Sequence, residues 1–343
     1  MGYFSIPDKN ILLILIPERQ LNCYFLMPLI STSSYRSPWW LSNPHAQTIF
    51  PNLVRPMADV SYVREVLPTP DGDFLDLDWV RQGAPRLLIA LHGLEGSSQS
   101  KYIPGIIHTF RQYGWDGLAL NFRGCGGTPN LLTRAYHSGE TGDLDFVIRH
   151  AVFMGYKRIV IAGFSLGGNV LLKYLGEKGA SIPAEITHAV AFSVPCDLAS
   201  SSAKLDRREN YIYRQRFMIR LRKKVRQKPS MMKLAGDPEK LKNFRMFDNA
   251  ITAPIHGFAD ADDYYTQSSC KQFIPGIRIP TLLVNAQNDP FLTPACFPEE
   301  EARNSRYFYM ETPHDGGHVG FYTPGKANIY WSEQRAIDFA EGS

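Results

Sequence analysis

The sequence predicts an α/β protein with a mostly parallel central sheet, helices on both of its faces, and a helical insertion in its second half. Short, continuous apolar runs at residues 87–91, 117–122 and 158–162 have the character of strands buried on both faces. Helix-like stretches alternate with these runs, and repeated βα units imply a parallel sheet with right-handed crossovers. The alternation pauses over residues 195–280 and then resumes, as expected if a cap is inserted between two sheet strands.

Along the chain, residues 1–26 differ in character from the rest. The run Ile11-Leu12-Leu13-Ile14-Leu15-Ile16 is too short to span a bilayer and is broken by Pro17, and a signal peptide would need a more basic start. This stretch reads as an upstream extension with Met27 as an alternative start; the rival reading is a membrane-surface anchor. The one domain then runs from 27 to 343. Two prolines and adjacent tryptophans in Pro38-Trp39-Trp40-Leu41-Ser42-Asn43-Pro44 suggest an irregular arm reaching to Thr48. Strands at 60–67 and 74–80, separated by a Pro- and Gly-bearing turn, form an antiparallel hairpin. The alternating part follows: strand 87–91, helix 102–113, strand 117–122, helix 144–154, strand 158–162, helix 167–175 and strand 188–194. After the insertion come strands 281–286 and 307–310 and a closing helix over 330–340. Within the insertion, residues 204–228 predict one amphipathic helix with a basic outer face.

Bulk composition narrows the class. With 44% hydrophobic and 20% charged residues the chain is neither disordered nor fibrous. A net charge of +4 is mild, so no nucleic-acid partner is expected. The five cysteines, Cys23, Cys125, Cys196, Cys270 and Cys296, are scattered, with neither zinc-ligand spacing nor a disulfide framework. A cytoplasmic location is the expectation that follows.

The chemistry centres on Gly163-Phe164-Ser165-Leu166-Gly167, which lies between a strand and a helix. A serine hydroxyl is a poor nucleophile unless it is exposed, aligned with a base and set beside oxyanion donors. A sharp strand-to-helix turn does all three. Gly168 lets the helix pack close to the sheet. A second donor is expected after the first buried strand, where the sequence reads His92-Gly93-Leu94-Glu95-Gly96, so the amides of Leu94 and Leu166 are the candidate oxyanion pair. His92 reads as a brace for that loop. The base should follow the last strand, in Pro313-His314-Asp315-Gly316-Gly317-His318, where His318 after paired glycines is favoured and His314 competes. The orienting acid should follow strand 281–286, where Asp289 stands; Asp197, after strand 188–194, is the rival. Order along the chain, Ser165, Asp289, His318, is that of the α/β-hydrolase fold.

Several further stretches sharpen this. Pro44-His45-Ala46-Gln47-Thr48, His92-Gly93-Leu94-Glu95-Gly96-Ser97, Asn121-Phe122-Arg123-Gly124-Cys125-Gly126-Gly127, His137-Ser138-Gly139-Glu140-Thr141-Gly142-Asp143 and Gly317-His318-Val319-Gly320-Phe321 join the serine motif and Asn169 in a pattern that resembles the YheT-like hydrolases of the α/β-hydrolase superfamily. The resemblance runs from about residue 38 to the C-terminus. It implies a carboxylesterase or an acylglycerol or phospholipid lipase of the soluble bacterial type, with its triad on Ser165, Asp289 and His318. The expected activity is hydrolysis of short- to medium-chain acyl esters or acylglycerols through an acyl-enzyme, with no cofactor or metal. The expected partner is a small acyl ester, with transient contact to a membrane or lipid surface as a further possibility; oligomeric state is not readable. The alternatives are acyl transfer to an alcohol and a non-catalytic binder of anionic lipid surfaces.

Overall fold

The computed structural model describes residues 28–30, 32–323 and 329–342. The extension expected over residues 1–26, and Met27 as its alternative start, lie outside the described residues. The described chain opens with the short strand β1 (Leu29–Ile30), then helix α1 (Pro44–Val54) and the hairpin β2 (Val63–Pro68) and β3 (Phe74–Val80). The alternating part follows as β4 (Arg86–Leu91), α2 (Tyr102–Gln112), β5 (Asp116–Asn121), α3 (Gly142–Phe153), β6 (Arg158–Phe164), α4 (Leu166–Lys178) and β7 (Ile186–Phe192). The insertion supplies α5 (Leu198–Leu205), α6 (Tyr211–Gln227), α7 (Pro229–Ala235), α8 (Phe244–Phe247), α9 (Ala253–His256) and α10 (Ala261–Ser268). The chain then returns as β8 (Thr281–Val284), α11 (Glu299–Arg303), β9 (Phe308–Glu311) and α12 (Trp331–Glu341).

The strands form one sheet in the order β1-β9-β8-β7-β6-β4-β5-β3-β2. Strand β3 runs antiparallel to both of its neighbours, and the other pairings are parallel. Because side chains alternate across a strand, Leu87, Ile89 and Leu91 enter one core with residues of α3 and α4, while Leu88 and Ala90 enter the other with residues of α2 and α12. This double burial is why the strands read as unbroken apolar runs. Strand β5 leaves to one side of β4 and β6 to the other, so the chain reverses direction across the sheet at β4. Ligand sites of open α/β sheets lie at the strand carboxyl ends near such a reversal.

Three differences from the sequence reading bear on the site. The arm before the hairpin is not irregular: α1 begins at Pro44, whose fixed φ suits a first helical position, and the Asn43 side chain caps it by accepting from the His45 and Ala46 amides. Second, the basic segment is not one helix. It breaks between Leu205 and Tyr211, where buried Asn210 donates to the carbonyls of Lys204 and Pro290. Third, the edge strand β1 carries too little periodicity to be read. The insertion has its own apolar core, including Met218, Leu221, Val225, Phe244, Phe247 and Ile251, and Leu94 packs against it. Among the described residues, no helix is long and apolar enough to cross a membrane.

Candidate active site

Ser165 sits between the end of β6 and the start of α4 with φ of 53°, in the left-handed region that disfavours side chains. The turn is possible because its neighbours are glycines. A β-carbon on Gly163 would lie 2.6 Å from the Gly167 carbonyl oxygen, and one on Gly167 would lie 2.6 Å from the carbonyl oxygens of Leu91 and His92. The turn is held open by the Ser165 amide, which donates to the Phe192 carbonyl on β7 at 2.8 Å.

His318 reaches this serine from the loop after β9. Its Nε2 lies 2.9 Å from Ser165 Oγ, and its Nδ1 lies 2.8 Å from Asp289 Oδ2. Asp289 follows β8; its side chain is fully buried, and its other oxygen accepts the Phe291 amide at 2.8 Å. The structure therefore brings Ser165, His318 and Asp289 together in one hydrogen-bonded line. It separates the two rivals from that line. His314 is exposed beside Asp315, and Asp197 caps α5 by accepting the Ser200 amide at 2.8 Å.

The two candidate oxyanion residues, Leu94 and Leu166, line the same cavity as Ser165. Leu166 opens α4, where the first helical N–H groups have no intrahelical acceptor. Leu94 lies in the loop after β4, and neither amide donates to an acceptor among the described residues. His92 braces that loop, as expected: Nδ1–H donates to the Gly93 carbonyl at 2.7 Å, and Nε2 accepts the Phe122 amide at 3.2 Å. The bond that Nε2 accepts requires a neutral ring, and burial holds its pKa down at about 3.

The support of His318 comes largely from residues the sequence reading did not single out individually. Thr48 Oγ1 on α1 accepts the His318 amide at 3.0 Å. Gln47, also on α1, accepts at Oε1 from the Gly316 amide and from Asn288 Nδ2, both at 2.8 Å, and donates to the Leu41 carbonyl at 2.7 Å. The Gly317 amide donates to Asn288 Oδ1, and the Val319 amide donates to Ser193 Oγ. Pro51 inside α1 has no N–H to offer the Gln47 carbonyl four residues back, and that carbonyl lies against Gly320, where a β-carbon would fall 2.2 Å from it. The signal was present in Pro44-His45-Ala46-Gln47-Thr48. Two more of the shared stretches also meet here: Arg123 binds Asp143 through both carboxylate oxygens, at 2.7 and 2.8 Å. Asn169 on α4 ties Ser138 to the end of the insertion by donating to the Ser138 and Ser268 carbonyls.

Ser165 and Leu166 open onto a cavity of about 160 Å³ between the sheet and the insertion. Its walls include Leu198, Phe217, Leu221, Phe244, Phe247 and Ile251. Such a lining receives hydrocarbon and excludes water from the serine.

The family model for the α/β hydrolase fold matches residues 86–324. The YheT protein of Escherichia coli strain K12, named as an esterase, is 37% identical over 317 residues, covering 87% of this chain and 90% of YheT. Phospholipase ABHD3 of Mus musculus is 30% identical over 85% of this chain and 74% of its own. Among solved structures, the Pyrococcus furiosus esterase Pf2001 has a TM-score of 0.55 at 19% identity, covering 90% of this chain and 99% of that one, a likeness of fold. Residues 86–324 hold strands β4 to β9, the serine turn and the histidine loop, and the chain belongs to the α/β-hydrolase family, among its YheT-like members.

Proposed function

We propose that the chain hydrolyses carboxylic esters of short- to medium-chain acyl groups, acylglycerols among them, through an acyl-enzyme on Ser165. The observation that carries this reading is the line from Asp289 to His318 to Ser165, at 2.8 and 2.9 Å, ending beneath an apolar cavity. In this mechanism Ser165 Oγ attacks the ester carbonyl carbon and passes its proton to His318 Nε2. Asp289 keeps the ring oriented and stabilises the imidazolium. The Leu94 and Leu166 amides donate to the oxyanion of the tetrahedral intermediate. His318 then protonates the departing alkoxide, and water cleaves the acyl-enzyme by the same route. The mechanism uses no cofactor or metal.

Relatives named as an esterase and a phospholipase support an ester substrate. Free cysteines at 125, 196, 270 and 296 support a cytoplasmic setting. Exposed Ile212 and Ile219 on the basic helix α6, with exposed Trp39 before α1, support brief contact with a lipid surface that presents the substrate. The test is labelling by a fluorophosphonate, with Ser165→Ala as control, followed by a panel of nitrophenyl esters of graded acyl length. Labelling at Ser165 and hydrolysis are expected, and the rate should fall for acyl chains that outgrow the cavity. A folded protein that takes no label would favour the lipid-binding alternative, and ester products formed with added alcohol would favour acyl transfer.

A further inference from the structure

The loop that carries Leu94 is gripped from the insertion. Gly93 to Gly96 form a tight turn in which the Gly96 amide donates to the Gly93 carbonyl at 3.0 Å. Glu95 occupies the third position of this turn with φ of 54°, where type II turns call for glycine. A glutamate held in the left-handed region is strained and persists only if its surroundings enforce it. Here Glu95 is held at its amide, its carbonyl and Oε1. Its amide donates to the Tyr136 hydroxyl at 2.9 Å, and that hydroxyl donates back to Oε1 at 2.7 Å. Arg220 Nη1 donates to the Glu95 carbonyl at 2.9 Å, and Lys224 Nζ pairs with Oε1 at 2.9 Å.

Arg220 and Lys224 stand one turn apart on α6, so a single helix of the insertion holds both ends of the residue. Lys224 also touches Cys125 Sγ at 2.9 Å and lies over the Tyr136 ring. The expected basic outer face of this helix is thus incomplete: Lys224 falls one residue from Val225 and three from Leu221, on the inward side. The Glu95 side chain is only 4% exposed, so its carboxylate relies on these partners for charge compensation.

We propose that Lys224 and Arg220 are positioning residues for the oxyanion loop: docking of the insertion holds Glu95 in its unfavourable conformation and thereby sets the aim of the Leu94 amide. If Glu95 relaxes to negative φ, the Leu94–Glu95 peptide rotates and carries the Leu94 α-carbon with it. The insertion then does more than wall the cavity, because it completes the apparatus that receives the oxyanion. This inference rests on Leu94 being an oxyanion donor in the esterase reading above.

The test measures kcat and KM on a nitrophenyl ester and inhibition by a trifluoromethyl ketone, which forms an oxyanion on the serine. Lys224→Met should lower kcat about 10- to 100-fold, part of the effect of losing a donor outright. KM should stay within about twofold, and the trifluoromethyl ketone should weaken by the same factor as kcat. Lys224→Arg should restore most of both. Glu95→Gly provides the sharper arm, because glycine adopts positive φ without help. In that background Lys224→Met should change kcat less than threefold. A folded Lys224→Met protein with unaltered kcat, or one whose kcat falls while the ketone binds as before, overturns the inference, as does full additivity with Glu95→Gly. Should Lys224→Met not fold, the Glu95→Gly pair decides the matter alone. A wild-type protein that neither takes the fluorophosphonate nor cleaves esters fails the esterase reading itself, a result distinct from these.

Discussion

Replacing Gln47 by methionine keeps the length of the side chain and removes its hydrogen bonds. Gln47 is buried and serves three partners at 2.7–2.8 Å: the Leu41 carbonyl, the Gly316 amide and Asn288 Nδ2. Asn288 retains a second acceptor in Asp315, so two groups are orphaned and one is weakened. At about 1–3 kcal/mol for each buried group left without a partner, the variant should lose about 2–6 kcal/mol of stability. The same bonds hold Gly316, two residues before His318. A displacement of about 1 Å at a reacting group is enough to cost about 100-fold in rate. Gln47→Met should therefore lower kcat on a nitrophenyl ester by about 10- to 100-fold with KM nearly unchanged, and move the urea midpoint down. A variant that loses the expected stability yet turns over within twofold of wild type would refute the reasoning, since Gln47 would then fasten α1 without holding His318.

Three more outcomes follow from the site and its walls. Asp289→Asn should cost about 10⁴-fold in kcat, whereas Asp197→Ala should remove only a helix cap, about 1 kcal/mol, with the rate unchanged within threefold; steady-state kinetics and urea unfolding on the pair check both. Gly167→Ala should lose at least about 1–3 kcal/mol in urea unfolding, because its β-carbon meets backbone oxygens that cannot move aside. Asp248 in the insertion is raised by burial from 3.8 to about 6. Between about pH 4 and 6 folding takes up a proton, so this group's contribution is full below pH 4 and is lost as pH rises through 6. Asp248→Asn should accordingly raise the urea midpoint at pH 8 and leave it unchanged near pH 4, and equal midpoints at pH 8 would contradict this.

Much of the fold was legible because the sheet imposes its own pattern. Strands β4, β5 and β6 are covered on both faces, so each reads as an unbroken apolar run. The serine turn was legible because Gly163 and Gly167 have no room for a side chain. Helix α1 was missed because Pro38, Pro44 and the adjacent tryptophans suggest an irregular arm, although Pro44 directly after Asn43 is a helix-start signal. Its role was less visible still, since nothing local says that Gln47 and Thr48 bond a loop some 270 residues away. Paired glycines favoured His318 over His314 and the place after strand 281–286 favoured Asp289 over Asp197, but what sets the rivals apart is three-dimensional: His314 is exposed and Asp197 caps α5. Lys224 was read by its charge when its helical phase, shared with Leu221 and Val225, already pointed inward.

Among the described residues, the non-glycine positions with positive φ are Glu95, Ser165, Ser193, Val319 and Phe321. All of them line or brace the reacting groups, and conformations of this kind cost about 1–3 kcal/mol each. The machinery is thus the most tightly sprung part of the protein, and the part that gains most from letting go. Warming should silence the enzyme several degrees before circular dichroism reports any melting, and cooling from that window should restore full turnover, because only a few backbone torsions have to click back.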